Sequence, residues 1–308
     1  MSIKQITKLS IAGVAIVVAI VAAVTLFSQK GRWRVETIEL KLHGELPEYS
    51  WPTVLLAQIP KILKSNSSHE ITGGLVTGAV RYSHRDASGP CPVVFDTPYG
   101  EIHARIVDDD LLEFLFREQV DRGVYSFEGA SVEEGDVVVD GGAHLGTFTL
   151  NALRRGASKV IAFEPEPTNA DCLRTTFRQE IEDGRVILSQ TALWHSPATL
   201  SFSIDSGGHE SARGKVSNGG TLEVEAVTLD DTVESLGLKS VDFIKLDIEG
   251  AERDALEGSR KTLQQFKPKL ALCIYHREDD AEVVPATVQR IQPDYQMFKT
   301  DEQVYFYP

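Results

Sequence analysis

Residues 137–166 read VVVDGGAHLGTFTLNALRRGASKVIAFEPE, and few folds can accommodate that run. Three valines lead into Asp140. A turn carrying Gly141, Gly142 and Gly146 follows, then a helical pattern, a second apolar run and Glu164. The β-branched lead suits a strand buried on both faces. Glycines let the chain turn sharply and let another group approach the backbone without a Cβ in the way. An acid closing the second strand can accept hydrogen bonds from both hydroxyls of a ribose. The stretch predicts the strand–helix–strand unit of a nucleotide-binding α/β sheet.

The glycine spacing bears on which nucleotide. A dinucleotide fingerprint needs G-x-G-x-x-G, so that backbone amides and a helix N-terminus receive a pyrophosphate. Here position 144 is a histidine, and an acid, Asp140, stands directly before the turn. A carboxylate there repels a diphosphate and attracts a cationic amino-acid moiety. S-adenosylmethionine meets that description, with a ribose, no phosphate, and ammonium and sulfonium charges. The reading favours it over NAD. A glycine turn without any ligand is disfavoured by Glu164 at the right distance.

The remaining core follows the same rhythm. Phe95 to Ile106 suggests a hairpin turning at Pro98-Tyr99-Gly100, and Leu111 to Val120 a helix. Strands are expected at Lys159–Phe163, Arg185–Leu188, Val241–Leu246 and Lys269–Tyr275. Thr168 is the expected cap of a helix running through Leu173 and Phe177. Leu200–Ile204 and Leu222–Val227 read as a strand pair around a Gly/Ser-rich loop, Asp205 to Gly220, a candidate lid. A last helix near Val283–Ile291 precedes two closing strands, Tyr295–Lys299 and Gln303–Tyr307. In an open parallel sheet, ligands sit outside the carboxyl ends of the strands. Those ends carry Asp140, Glu164, Asp247, Glu249 and His276.

The N-terminus differs in kind. Leu9 to Phe27 is an uncharged apolar run flanked by lysines and arginines, about long enough to cross ~30 Å of hydrocarbon as a helix. An uncleaved anchor is favoured over a cleavable signal peptide, whose apolar core is usually shorter, about 7–15 residues. Trp51 to Lys64 has an apolar face that suits either a short packed helix or the membrane interface. The expected organisation is an anchor with short flanks over 1–30, a linker and membrane-proximal segment over 31–92, and an α/β domain over 93–308. A net charge of −14 with no local basic patch excludes nucleic acid as a partner. Cys91, Cys172 and Cys273 are scattered and odd in number, which argues against a disulfide framework and against a zinc site. Cys172 and Cys273 read as buried inert thiols.

The whole pattern resembles the FkbM family of S-adenosylmethionine-dependent methyltransferases, from about Phe95 to the C-terminus. The resemblance rests on Gly135 to Ala143, on Phe163-Glu164-Pro165-Glu166-Pro167 with Asn169, and on Val241 to Glu252. Tyr275-His276 with Glu278-Asp279, and Pro293-Asp294-Tyr295, add to it. The segment Ile-Lys-x-Asp-x-Glu-Gly-x-Glu is its most specific part. Gly141 and His144 stand where such proteins more often have valine and asparagine. The resemblance implies a Rossmann-like seven-stranded α/β sheet, mostly parallel with an antiparallel C-terminal hairpin. It also implies methyl transfer, commonly to a hydroxyl oxygen of a sugar or other small molecule.

The expected donor site comprises Asp140, Gly142, Ala143, His144, Gly146, Glu164, Pro165, Asn169, Thr191, Ala192 and Asp247. His276, with an ordinary pKa near 6.5, is the expected general base, and Asp247 comes second. A hydrogen bond to the chain or to Asp279 is the plainer role for His276. Glu249 and Glu252 can equally be helix-start acids, and Lys245, inside an apolar strand, is expected to pair with one of them. Asp247, Glu249 and His276 can also assemble a divalent metal site, a reading not favoured on sequence alone. An NAD-dependent oxidoreductase and a membrane-tethered scaffold without activity are the alternatives. Because the methyl donor is made in the cytosol, the domain is expected to face that side of the membrane.

Overall fold

The computed structural model describes residues 81–84, 90–97, 99–105, 109–205, 213–216, 220 and 222–308. The expected membrane span Leu9–Phe27, the stretch Trp51–Lys64 and most of the expected lid lie outside those residues. Among the described residues, no helix is long and apolar enough to cross a membrane. The chain divides into two compact units, residues 1–72 and 73–308, and the description that follows concerns the second.

That unit opens with a three-stranded antiparallel sheet, β1 (Arg81–His84), β2 (Val93–Thr97) and β3 (Gly100–Ala104). The β2–β3 hairpin turns where Pro98-Tyr99-Gly100 predicted. β1 falls within the stretch 31–92 expected as a linker, with no strand assigned there from the sequence, yet it pairs along its length with β2. Val93, Phe95, Ile102 and Ala104 pack beneath helix α1 (Asp109–Phe116), which runs into a π-helical turn at Arg117–Asp121.

The central sheet begins with β4 (Val137–Gly141), helix α2 (Thr147–Arg154) and β5 (Lys159–Phe163). Helices α3 (Pro167–Thr176) and α4 (Arg178–Glu182) lead to β6 (Val186–Ser189). The chain then leaves to form a separate four-stranded sheet from β7 (Ala192–Leu193), β8 (Ala198–Asp205), β9 (Arg213–Val216) and β10 (Leu222–Val227), in the order β7-β10-β8-β9. It returns through α5 (Leu229–Leu236) to β11 (Phe243–Leu246), α6 (Glu252–Glu257), α7 (Arg260–Phe266) and β12 (Lys269–Cys273). Helix α8 (Asp280–Ile291) and strands β13 (Gln296–Lys299) and β14 (Gln303–Tyr307) close the fold.

The seven-stranded sheet has the order β13-β14-β12-β11-β4-β5-β6. β6, β5, β4, β11 and β12 pair in parallel, and β14 runs antiparallel to both β12 and β13. Successive side chains of these strands face opposite layers. Val139, Ile161, Ile244 and Leu272 join α5 to α8 in one core, while Val138, Val160, Phe243 and Ala271 meet α2 and α3 in the other. Burial on both faces explains why the strands read as continuous apolar runs. Strand order reverses at β4, which makes its carboxyl end the topological switch point where ligands settle in such sheets.

Two expectations are corrected here. Cys172 is not a free thiol: on α3 it forms a disulfide with Cys91, just before β2, across 81 residues of sequence. Only Cys273 remains a buried thiol among the described residues. The cap of α3 is Glu166 rather than Thr168, because the Glu166 side chain accepts the Asn169 amide and Pro167 occupies the first turn.

Candidate active site

Asp140 and Lys245 sit directly opposite one another on β4 and β11. Both are buried, and Lys245 donates to Asp140 Oδ1 at 3.0 Å. The same ammonium donates to the carbonyls of Gly141 at 3.0 Å and Gly142 at 2.7 Å, so its three N–H bonds are all used. Burial by itself would lower the Lys245 pKa. The carboxylates of Asp140 and Asp247 outweigh it and hold the ammonium above the ordinary lysine value. Thr149 completes the shell of Asp140, donating to Oδ2 at 2.7 Å. Asp140 therefore lies behind the glycine turn, paired with Lys245, and does not line the cavity described below. The expected pairing of Lys245 with Glu249 or Glu252 is likewise replaced by the pair with Asp140.

The turn is tied to its other neighbour as well. The amides of Gly142 and Ala143 both donate to the Phe163 carbonyl, at 3.1 and 3.0 Å, and the His144 amide donates to Glu164 Oε2 at 2.8 Å. Gly142 has φ +80°, and a Cβ there would stand 2.0 Å from the Asp247 carbonyl oxygen. Gly146 has φ +84° and abuts Phe177 and Leu173. What needs these glycines bare is the neighbouring protein itself. His144 adopts φ +51°, a left-handed conformation that asparagine and histidine both enter more readily than most residues. Histidine therefore suits this turn position, as the asparagine implied by the resemblance would.

Glu164, at the end of β5, is buried at 6 % exposure. Besides the His144 amide it accepts the Glu166 amide at 2.9 Å, and the Asn169 side chain hydrogen-bonds it. Burial raises its pKa to about 7, ahead of the opposing pull of those amides.

A cavity of about 280 Å³ opens at this end of the sheet, near the lower end of the ~300–1,000 Å³ usual for small-molecule sites. Gly142, Ala143, His144, Glu164, Pro165, Thr191, Ala192 and Asp247 line it. Asp140, Gly146 and Asn169, also expected to touch the donor, do not line it. They fix the turn, the helix–helix contact and Glu164 from behind. The cavity also has walls that the sequence reading did not assign to the donor site: Phe114, Gln119, Phe163, Phe202 and Tyr275. Phe114 and Tyr275 are 45 % and 50 % exposed, a large apolar area left at the rim.

Beyond β11 the chain bends sharply, with Glu249 at φ +54° and Gly250 at φ +95°. Asp247 and Glu249 thereby reach the cavity wall. The His276 side chain, largely enclosed behind them, places Nε2 3.3 Å from Asp247 Oδ1 and 3.6 Å from Glu249 Oε2, and Nδ1 2.9 Å from Glu252 Oε1. These contacts act as ion pairs. Tyr125 donates to the other oxygen of Asp247 at 2.6 Å. Burial opposes charge on the imidazole, but Asp247 and Glu252 outweigh it and lift the His276 pKa to about 10. Burial also opposes charge on Asp247, yet His276, Lys245 and Tyr125 hold its carboxyl well below the usual range. The expected histidine with an ordinary pKa is instead an imidazolium at neutral pH when only these side chains surround it. Its alternative partner, Asp279, is engaged with Arg253. Glu252 is the helix-start acid of the two proposed, accepting the Ile248 amide at 2.9 Å.

The model of the methyltransferase FkbM domain matches residues 140–304, more than half of the chain. The chain belongs to the FkbM methyltransferase family. It is similar to the hexuronic acid methyltransferase AglP of Haloferax volcanii, 32 % identical over 136 residues, covering 43 % of this chain and 53 % of the relative. It is similar also to the 31-O-demethyl-FK506 methyltransferase FkbM of Streptomyces tacrolimicus, 28 % identical over 176 residues, covering 47 % and 68 %. The matched region thus spans about half the length of the first relative and two-thirds of the second. Among solved structures, a methyltransferase FkbM from Methylobacillus flagellatus superposes with a TM-score of 0.45 at 24 % identity, covering 57 % of this chain and 44 % of that one. The matched residues of this FkbM domain take in the glycine turn, Glu164, Asp247 and His276 together.

Proposed function

We propose that this protein transfers a methyl group from S-adenosylmethionine to a hydroxyl oxygen of a sugar or comparably polyhydroxylated small molecule. One observation carries the donor assignment. The amides of Gly142, Ala143 and His144 are all consumed inside the fold, while Glu164 stays on the cavity wall. A pyrophosphate would find none of those amides to receive it, whereas a ribose diol finds a carboxylate. The absence of phosphate groups in the donor thus matters for a reason other than the charge of Asp140, which Lys245 cancels.

Glu164 would hold the ribose hydroxyls, Pro165, Thr191 and Ala192 would flank the base, and the Gly142–His144 turn with Asp247 would hold the amino-acid end. S-adenosylmethionine supplies the methyl carbon already activated by its sulfonium. The protein's part is to align the acceptor oxygen with that carbon and to take one proton. Phe114, Phe202 and Tyr275, on the cavity wall, would screen the reacting atoms from water, and Asp247 and Glu249, on the same wall, would face the acceptor. As the carbon–oxygen bond forms and the carbon–sulfur bond breaks, the hydroxyl proton becomes strongly acidic and leaves toward these carboxylates. The class of acceptor is supported by the names of the relatives, one of which acts on a hexuronic acid. Incubating the full chain with radiolabelled S-adenosylmethionine and a panel of hexuronic acids, neutral sugars and amines tests it. Label is expected in base-stable ethers of the sugars, and label confined to amines would contradict the reading.

A further inference from the structure

We propose that Asp247, Glu249 and His276 form a binding site for one divalent cation, of the magnesium or manganese type, at the acceptor side of the cavity. The ligand atoms of the three residues lie within 4.8 Å of one another. The 3.3 Å separation from Nε2 to Asp247 falls within the ~3.0–3.5 Å edges of a coordination polyhedron with bonds of roughly 2.1 Å, and the 3.6 Å separation to Glu249 lies just beyond them. Two carboxylates and one imidazole form a hard, oxygen-rich set that favours these ions over softer ones.

Independent features point to an ion rather than to a chance cluster. The His276 side chain is only 7 % exposed, yet Nε2, aimed at both carboxylates, makes no well-directed hydrogen bond. The surrounding shell is already built. Glu252, fully buried and held by the Ile248 amide, lies against Nδ1, where it can fix the tautomer that leaves Nε2 free to ligate. Tyr125 occupies the far oxygen of Asp247 and leaves Oδ1 toward the centre. Carboxylate–histidine and hydroxyl–carboxylate supports of this kind orient the ligands of metal sites. Three carboxylates, of Asp247, Glu249 and Glu252, meet the one imidazole. Asp247 and Glu249 line the cavity, so the remaining positions of the ion face it. Two neighbouring oxygens of a polyhydroxylated acceptor can fill them, which positions the acceptor and makes its hydroxyl proton more acidic.

The role assigned to the ion rests on the proposed methyl transfer, but its binding does not. Manganese(II) titrated into the metal-stripped full chain, followed by loss of the free-ion electron paramagnetic resonance signal, is expected to show one bound ion per chain, displaced by excess magnesium. Glu249→Gln and His276→Gln are each expected to weaken binding at least tenfold. Tyr125→Phe, acting only through Asp247, should weaken it by roughly tenfold, in the range of removed ligand supports. Glu249 is partly exposed, so its variant tests the site even if His276→Gln loses its fold on circular dichroism. Absence of binding, or binding unchanged in a folded Glu249→Gln protein, overturns the proposal. Calorimetry with S-adenosylmethionine in the presence of a chelator keeps the two readings apart. Donor binding without manganese binding removes the ion site alone, and manganese binding without donor binding leaves the ion site standing and removes the donor.

Discussion

Glu164 and Lys245 show how single buried charges define this site. Glu164 titrates near 7 because burial penalises its charged form, and in the unfolded chain it returns to its ordinary 4.5. Between those values the folded chain holds the extra proton. The contribution of this group to stability therefore falls as pH rises through that window and is level outside it. Donor binding runs the other way, since ribose hydroxyls need the carboxylate. S-adenosylmethionine affinity measured by calorimetry should rise toward pH 7 and then level off. Glu164→Gln should flatten that profile and cost roughly 1.5–3 kcal/mol of binding. Lys245→Met leaves Asp140 as an uncompensated buried charge, for a loss of about 3–5 kcal/mol in denaturant melts. The double variant Lys245→Met with Asp140→Asn should recover part of it. Glu164 was legible in the sequence because it closes an apolar strand. The Asp140–Lys245 pair was not, because 105 residues separate the partners and only the strand order makes them neighbours.

The elements themselves were written plainly. Lys159–Phe163 forms the strand the sequence predicted, residue for residue, and the hairpin at residues 93–104 turns where proline and glycine marked it. Parallel strands buried on both faces leave a continuous apolar signal. The connecting segments obey tertiary contacts instead, which is why β1 and the α3 cap departed from expectation. The glycine turn joins both levels. At Gly142 an added methyl group meets the Asp247 backbone, which cannot swing away as a side chain can. Gly142→Ala is expected to lower stability by about 2–4 kcal/mol and to abolish donor binding. Gly237→Ala serves as the contrast. It also has a positive φ but meets nothing within 4 Å, so its thermal melt should reflect only about 1 kcal/mol of backbone strain.

At the scale of the whole molecule, the Cys91–Cys172 bond ties the chain before β2 to the helix that follows Glu164. The cysteine count argued against it, because pairing across 81 residues depends on how the N-terminal sheet docks on α3. Closing a loop of that length stabilises by about 2–4 kcal/mol. Reduction of the native chain should lower its melting temperature accordingly, with Cys91→Ser reproducing the shift in non-reducing buffer. A chain kept in the cytosol would carry both thiols reduced. Alkylation mapping on protein from its native cells therefore bears on the expected cytosolic side of the domain. The donor site is the centre of the account, and calorimetry on the full chain with S-adenosylmethionine and with NAD tests it most directly. One S-adenosylmethionine bound per chain, weakened by Glu164→Gln, with no heat from NAD, is the result predicted. Binding of NAD instead, or of neither ligand, would contradict it.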